Sequence, residues 1–226
     1  MSLRVAITRA APENARTAAY LQQRGASPLL APLLDIVPRA FDANVHGVQA
    51  LLFTSSNGVH AFTRESAVRS VPVFAVGDAT AQAARALGFA EVRSADGDVA
   101  ALAALVARTL KPAEGKLVHI GGAHVAGDLG GALKNAGFSV ERRIGYEAEA
   151  VRSLPLAFRE PLDAVLFHSA RAAEILADLG PPDTHRLKAV CISAAVADAA
   201  RKTAWKQVIV ASAPREDALV AALGLG

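Results

Sequence analysis

Apolar positions along this chain fall alternately into short runs and helix-spaced stripes. Runs of strand length stand at residues 4–7, 27–30, 51–53, 71–76, 91–93, 116–120, 138–142, 163–167, 188–192 and 208–210. Between them apolar residues recur at helical spacing, at 14–24, from Val59 on, at 81–87, 99–110 and 128–136, after Ser169 to Leu179, to about Lys202, and at 215–223. Gly25, Gly88 and Gly137 stand where helices should end, and Asp98 where one should begin. Gly121-Gly122 reads as a turn. The proline-bracketed segment 32–38 and the segment 144–151 read as extended, with 33–41 as a linker. Strands alternating with helices predict an α/β fold with parallel sheets and helices on their faces.

One stretch organises the pattern. The run Leu51-Leu52-Phe53 stops at Thr54-Ser55-Ser56-Asn57-Gly58 and gives way to helix spacing. The small polar residues can cap that helix and leave backbone N–H groups at the strand's carboxyl end. VLFHSARAAEIL at 165–176 repeats LLFTSSNGVHAF at 51–62. The first strand and helix likewise match the stretch from Leu117, and the stretch from Val73 matches the one from Ala189. Gly25 then aligns with Gly137, Ser55 with Ser169 and Gly77 with Ser193. The chain reads as a duplicated unit, A, B, A′, B′. A can fold with B, or B can join A′ in the middle while the chain ends pair; the sequence leaves both open.

Composition narrows the class. The chain has 226 residues, enough for one large or two small domains. It is 52% hydrophobic and 5% aromatic, as expected of Ala-rich helices over Val/Leu strands. The formal net charge of +3 comes without a Lys/Arg cluster or an aromatic platform, which argues against nucleic acid and leaves a small anionic ligand compatible. The single cysteine, Cys191, sits in a buried-strand pattern; it reads as an inert core thiol in a reducing compartment. No apolar run reaches bilayer length and no leader pattern is visible, so a cytoplasmic protein without membrane partners is expected.

Several signals fail on spacing. Gly121-Gly122 through Gly127 lacks G-x-G-x-x-G spacing, and no phosphate-loop lysine motif occurs. His119 and His124 do not form a ligand pair on one helix face, and no metal is expected. Ser169 lacks a G-x-S-x-G elbow.

Taken in order, Val5-Ala6-Ile7-Thr8-Arg9, Gly25, Pro32-Leu33-Leu34-Asp35-Ile36, Phe53-Thr54-Ser55-Ser56-Asn57-Gly58-Val59, Val76-Gly77-Asp78-Ala79-Thr80-Ala81, Gly137-Phe138-Ser139-Val140, Tyr146-Glu147 and Phe167-His168-Ser169 resemble the uroporphyrinogen-III synthase family over nearly the whole chain. The resemblance implies exchange in the duplication: two flavodoxin-like domains, one of 1–36 with 152–226 and one of 42–144, with 37–41 and 145–151 as a two-stranded connector. It implies a cofactor-free, metal-free lyase that closes hydroxymethylbilane to uroporphyrinogen III, with loss of water and inversion of the last pyrrole through a spiro intermediate. A monomer is expected, in transient contact with hydroxymethylbilane synthase.

Such a substrate carries many carboxylates, which strand-to-helix turns can hold. The expected substrate-binding residues are Thr8, Arg9, Ser55, Ser56, Asn57, Gly77, Thr80, Gly122, Ser169 and Ser193. Tyr146, one of two tyrosines, matches a family tyrosine and is the expected catalytic donor to the departing oxygen; its competing role is packing on the connector. The hydroxyl residues compete with plain helix capping, and Arg9 with a solvated strand end. Ala194-Ala195 stand where the family often has hydroxyls, and Gly121 and Ala126 where it often has arginines, which shifts weight to backbone donors. The alternative function is a non-catalytic, two-lobed binding protein for a small anion.

Overall fold

The computed structural model describes residues 2–124 and 127–225; Ala126 lies outside the described residues. The chain begins with β1 (Arg4–Ile7), α1 (Glu13–Gln22), β2 (Ser27–Leu30) and β3 (Leu34–Pro38). It continues with β4 (Val48–Phe53), α2 (Ser56–Glu65), β5 (Val73–Ala75), α3 (Asp78–Ala86), β6 (Val92–Ser94) and α4 (Val99–Thr109). Then come β7 (Lys116–Gly122), α5 (Leu129–Asn135) and β8 (Val140–Ala150). The last stretch holds β9 (Ala164–Phe167), α6 (Ala170–Leu179), β10 (Lys188–Cys191), α7 (Ala194–Ala200), β11 (Gln207–Val210) and α8 (Glu216–Ala221). The chain divides into two compact units, Met1–Asp35 with Glu149–Gly226, and Ile36–Ala148.

The first unit holds a five-stranded sheet in the order β11-β10-β9-β1-β2. Every neighbouring pair is parallel. Successive strand side chains point to opposite faces. Ala6, Val165, Phe167 and Cys191 therefore pack with Leu176 of α6 and Ala200 of α7. Val5, Ile7, Leu166 and Val190 pack with Leu21 of α1 and Leu219 of α8. Both faces are covered, which is why these strands are apolar throughout. Cys191 lies in this core, and burial pushes its thiol up to about 11, as suits an inert thiol.

The second unit holds a six-stranded sheet in the order β3-β8-β7-β4-β5-β6. The pairs from β8 to β6 are parallel. Phe53, Phe62 and Phe89 meet on one face at centroid distances of 6.0–6.4 Å, beside Leu51, Val59 and Ile120. Leu52 and Phe74 face the other way, onto Leu102 and Val106 of α4 and Leu133 of α5. Each such buried side chain contributes roughly 1.5–3 kcal/mol. Gly58 lets α2 lie on β7: a Cβ there would fall on the Ile120 carbonyl oxygen, well inside contact distance.

Two local expectations are corrected. Gly121 and Gly122 are the last residues of β7, not a turn. The segments 138–142 and 144–151, expected as separate pieces, form the single eleven-residue strand β8. The basic pair Arg142-Arg143 falls inside this strand, and both side chains are absorbed by partners. Arg143 is buried and donates to the Glu141 carboxylate and the Asn44 carbonyl at 2.7 Å each. Arg142 donates to the carbonyls of Gly122 and Ala123 at the end of β7. The proline-bracketed segment is extended as expected, and β3 lies beside β8 at the sheet edge, with the Arg39 N–H donating to the Gly145 carbonyl at 2.9 Å. Among the described residues no helix is long and apolar enough to cross a membrane.

Candidate active site at the strand carboxyl ends

In the second sheet the chain leaves β4 toward β5 and β6, then returns to the other side of β4 with β7 and β8. Such a reversal opens a crevice beyond the carboxyl ends of the two strands where the order turns, here β4 and β7. A cavity of about 670 Å³ lies there, lined among others by Thr54 and Ser55 after β4, Val76 after β5, Asp98, Asp128 and Tyr146. Asp98 and Asp128 are committed to capping: they accept from the Ala101 and Gly131 N–H groups at 2.9 and 2.8 Å.

Tyr146 stands on β8 against the end of β7. A Cβ on Gly122 would lie 2.8 Å from Tyr146 Cε2, so the ring occupies space that only glycine leaves open. Burial pushes the phenol's pKa above its ordinary value. The Ser55 hydroxyl, the Gly122 backbone and the Arg142 charge act the other way and favour the ionised form. The phenol therefore stays protonated at neutral pH, in surroundings that support the anion once its proton moves.

His119 on β7 was absent from the expected site. It is buried, its Nε2 lies 3.1 Å from the Thr54 hydroxyl, and burial, then the Arg142 charge, lower it to about 4. It is neutral at physiological pH. The sequence set it aside because it forms no ligand pair with His124, and nothing local marked its partner.

Of the remaining expected residues of this unit Ser55 lines the cavity, while Ser56 and Asn57 begin α2, and Gly77 and Thr80 stand at the start of α3. Ser55 caps α2, accepting from the Asn57 N–H at 3.2 Å. Asn57 thereby spends its N–H within the helix, and Ser56 is buried. Gly77 precedes α3 and supplies no side-chain cap; Thr80 is buried inside α3 and is not its cap.

The first unit gathers the other four. Thr8 is fully buried and its hydroxyl donates to the Leu166 carbonyl at 2.6 Å, binding the ends of β1 and β9. Ser169 caps α6 and Ser193 caps α7, accepting from the Ala172 and Val196 N–H groups at 3.2 and 3.5 Å. Arg9 is not solvated alone: it pairs with Glu216 of α8 at 3.1 Å. Glu216 also meets Thr17 and His168, residues that sequence reasoning passed over because the four lie far apart along the chain.

A sequence profile described as uroporphyrinogen-III synthase HemD matches residues 15–221. The chain belongs to the uroporphyrinogen-III synthase family. It is a cyclising lyase of tetrapyrrole biosynthesis, and the family implies hydroxymethylbilane as the substrate. The fold is similar to that of uroporphyrinogen-III synthetase from Helicobacter pylori, at 16% identity and a TM-score of 0.68 with 100% of both chains covered. It is also similar to a mutant uroporphyrinogen III synthase from Thermus thermophilus, at 21% identity and a TM-score of 0.53 over 99% of this chain and 96% of that one. No curated protein matches the sequence. Nothing among these matches supports the alternative of a non-catalytic binding protein.

Proposed function

We propose that Tyr146 donates the proton that lets the hydroxymethyl oxygen of hydroxymethylbilane leave as water, and that the turns at the strand carboxyl ends hold the substrate's carboxylates. The observation that carries this is the phenol itself: buried, kept protonated, and set at the rim of a cavity where the Ser55 hydroxyl, the Gly122 backbone and Arg142 favour the anion left behind. Closing the macrocycle with the last pyrrole inverted is then mainly a matter of holding the two ends of the bilane together.

The carboxylate contacts divide by what the caps leave open. In α2, α6 and α7 a serine side chain already takes a first-turn N–H. In α3 the Gly77 cap has no side chain, so its first-turn donors are the most available to an anion. Gly77 and Thr80 then bind through backbone N–H groups, Ser55, Ser56, Asn57 and Gly122 bear on the substrate from the second unit, and Ser169 and Ser193 offer their turns on the first. Thr8, with its hydroxyl spent on Leu166, acts by fixing the β1 turn.

The two units are taken as the exchanged domains of the duplication, 1–36 with 152–226 and 42–144, joined at 37–41 and 145–151. The strand orders support this. Written by repeat, β2-β1-β9-β10-β11 and β8-β7-β4-β5-β6 are one order with A and A′ interchanged. The paired Gly25 and Gly137 also share positive φ, 78° and 87°.

The test supplies freshly made hydroxymethylbilane and separates the isomers. The wild-type chain should yield the type III isomer, and Tyr146→Phe should lower kcat by roughly 10²-fold or more with the thermal midpoint little changed. Only the spontaneous type I isomer from the wild type overturns the activity; unchanged kcat in the variant removes Tyr146 from the chemistry.

A further inference from the structure

In the first unit the strand order reverses between β1 and β9, and a crevice is expected beyond their carboxyl ends. Four polar side chains from distant parts of the chain converge there. Glu216 accepts from the Thr17 hydroxyl at 2.7 Å and from Arg9 Nη1 at 3.1 Å, and His168 Nε2 lies 3.0 Å from it. Burial alone would raise the Glu216 carboxyl, but His168, Thr17 and Arg9 together hold it at about 2. The carboxylate is ionised, so the His168 proton sits on Nε2 and is donated to it. His168 Nδ1 is buried without a hydrogen-bond partner. A charged imidazole would strand an N–H there, so His168 stays neutral, in line with the lowering by burial.

Arg9 is the group this arrangement holds but does not use up. Only Nη1 is engaged, by Glu216 and, at 3.5 Å, by Thr17. Among the described residues Nε and Nη2 have no partner, and the side chain is 26% exposed. Nε and Nη2 form one edge of the guanidinium, the edge that takes a carboxylate side-on through two parallel hydrogen bonds. A flexible arginine loses several rotamers on binding; one already clamped through Nη1 has lost them beforehand.

We propose that Arg9 binds a carboxylate of the substrate through Nε and Nη2, and that Glu216, supported by Thr17 and His168, is the positioning residue that holds it ready. This rests on the reading above that the ligand is the polycarboxylate bilane. Glu216 lies on the last helix, so α8 would thereby contribute to binding without touching substrate.

The experiment is steady-state kinetics on the full chain with hydroxymethylbilane. Arg9→Lys keeps the charge and loses the side-on edge. Arg9→Ala loses both. Glu216→Gln keeps an acceptor for Thr17 and His168 and loses the ionic clamp. Each should raise KM, by about tenfold to a hundredfold for Arg9→Ala, with kcat changed far less. In the Arg9→Ala background Glu216→Gln should raise KM no further, because it acts through Arg9. A wild-type KM in Arg9→Ala overturns the proposal, as does an undiminished effect of Glu216→Gln in the Arg9→Ala background. Type III product from the wild type in the same assay shows that such a failure belongs to the Arg9 subsite and not to the activity.

Discussion

Burying His119 costs nothing at neutral pH and something in acid. The folded chain holds it at about 4, whereas the unfolded chain titrates it near 6.5. As pH falls through that window the unfolded state takes up a proton that the native state does not, so stability should decline, by up to about 3 kcal/mol for this one group. His119→Gln, which keeps a polar partner for Thr54, should flatten the fall in urea midpoint between about pH 7 and 4.5. Glu216, held at about 2, acts below that: its contribution is present above 4.5 and is lost as pH falls toward 2. The comparison of variant with wild type separates the two. At Gly122 the effect is geometric. A methyl group there lies 2.8 Å from Tyr146 Cε2 and must displace the ring. Gly122→Ala should leave the melting temperature nearly unchanged and lower kcat by about tenfold or more, since misplacing a catalytic group by an ångström can cost 10²-fold. Tyr146 was singled out by its family match, and Ser55 and Gly122 as turn residues, but that the three meet was not legible. Ser55 and Gly122 lie about ninety and twenty residues upstream, with no periodicity linking them to β8.

Among the secondary-structure elements, α2 starts at the cavity, which its capping Ser55 lines. Its N-terminus presents Ser55 and its body lies on β7 through Gly58. Gly58→Ala should force α2 away from the Ile120 carbonyl, destabilising the protein by about 1–3 kcal/mol in chemical denaturation. Ser55→Ala removes a cap and should cost about 1 kcal/mol, as Ser169→Ala should. Only Ser55→Ala should also lower turnover, because only Ser55 lies against the Tyr146 phenol. Most elements were legible because caps, helix-stopping glycines and apolar runs are local signals. Asp98, Ser169 and Ser193 cap the helices they were expected to begin. The unity of β8 was not legible. Whether an Arg-Arg-Ile-Gly stretch continues a strand depends on Glu141, Asn44 and the end of β7 being there to satisfy the two arginines.

Over the whole molecule, one unit is continuous and the other is built from both chain ends. The segment 36–148 expressed alone should therefore unfold cooperatively, whereas 1–148 should carry a first segment with little protection in hydrogen exchange, since β1 has lost β9 as its neighbour. By itself the sequence determined the alternation of strand and helix, the duplicated pattern, the caps and a short roster of polar turn residues. All of these are written within windows of a few to about twenty residues, where periodicity and cap chemistry act. The tertiary structure decided which strands are neighbours and which polar groups meet. Arg9 with Glu216 and His168, and His119 with Thr54, are pairings set by sheet order, and no spacing in the chain encodes them.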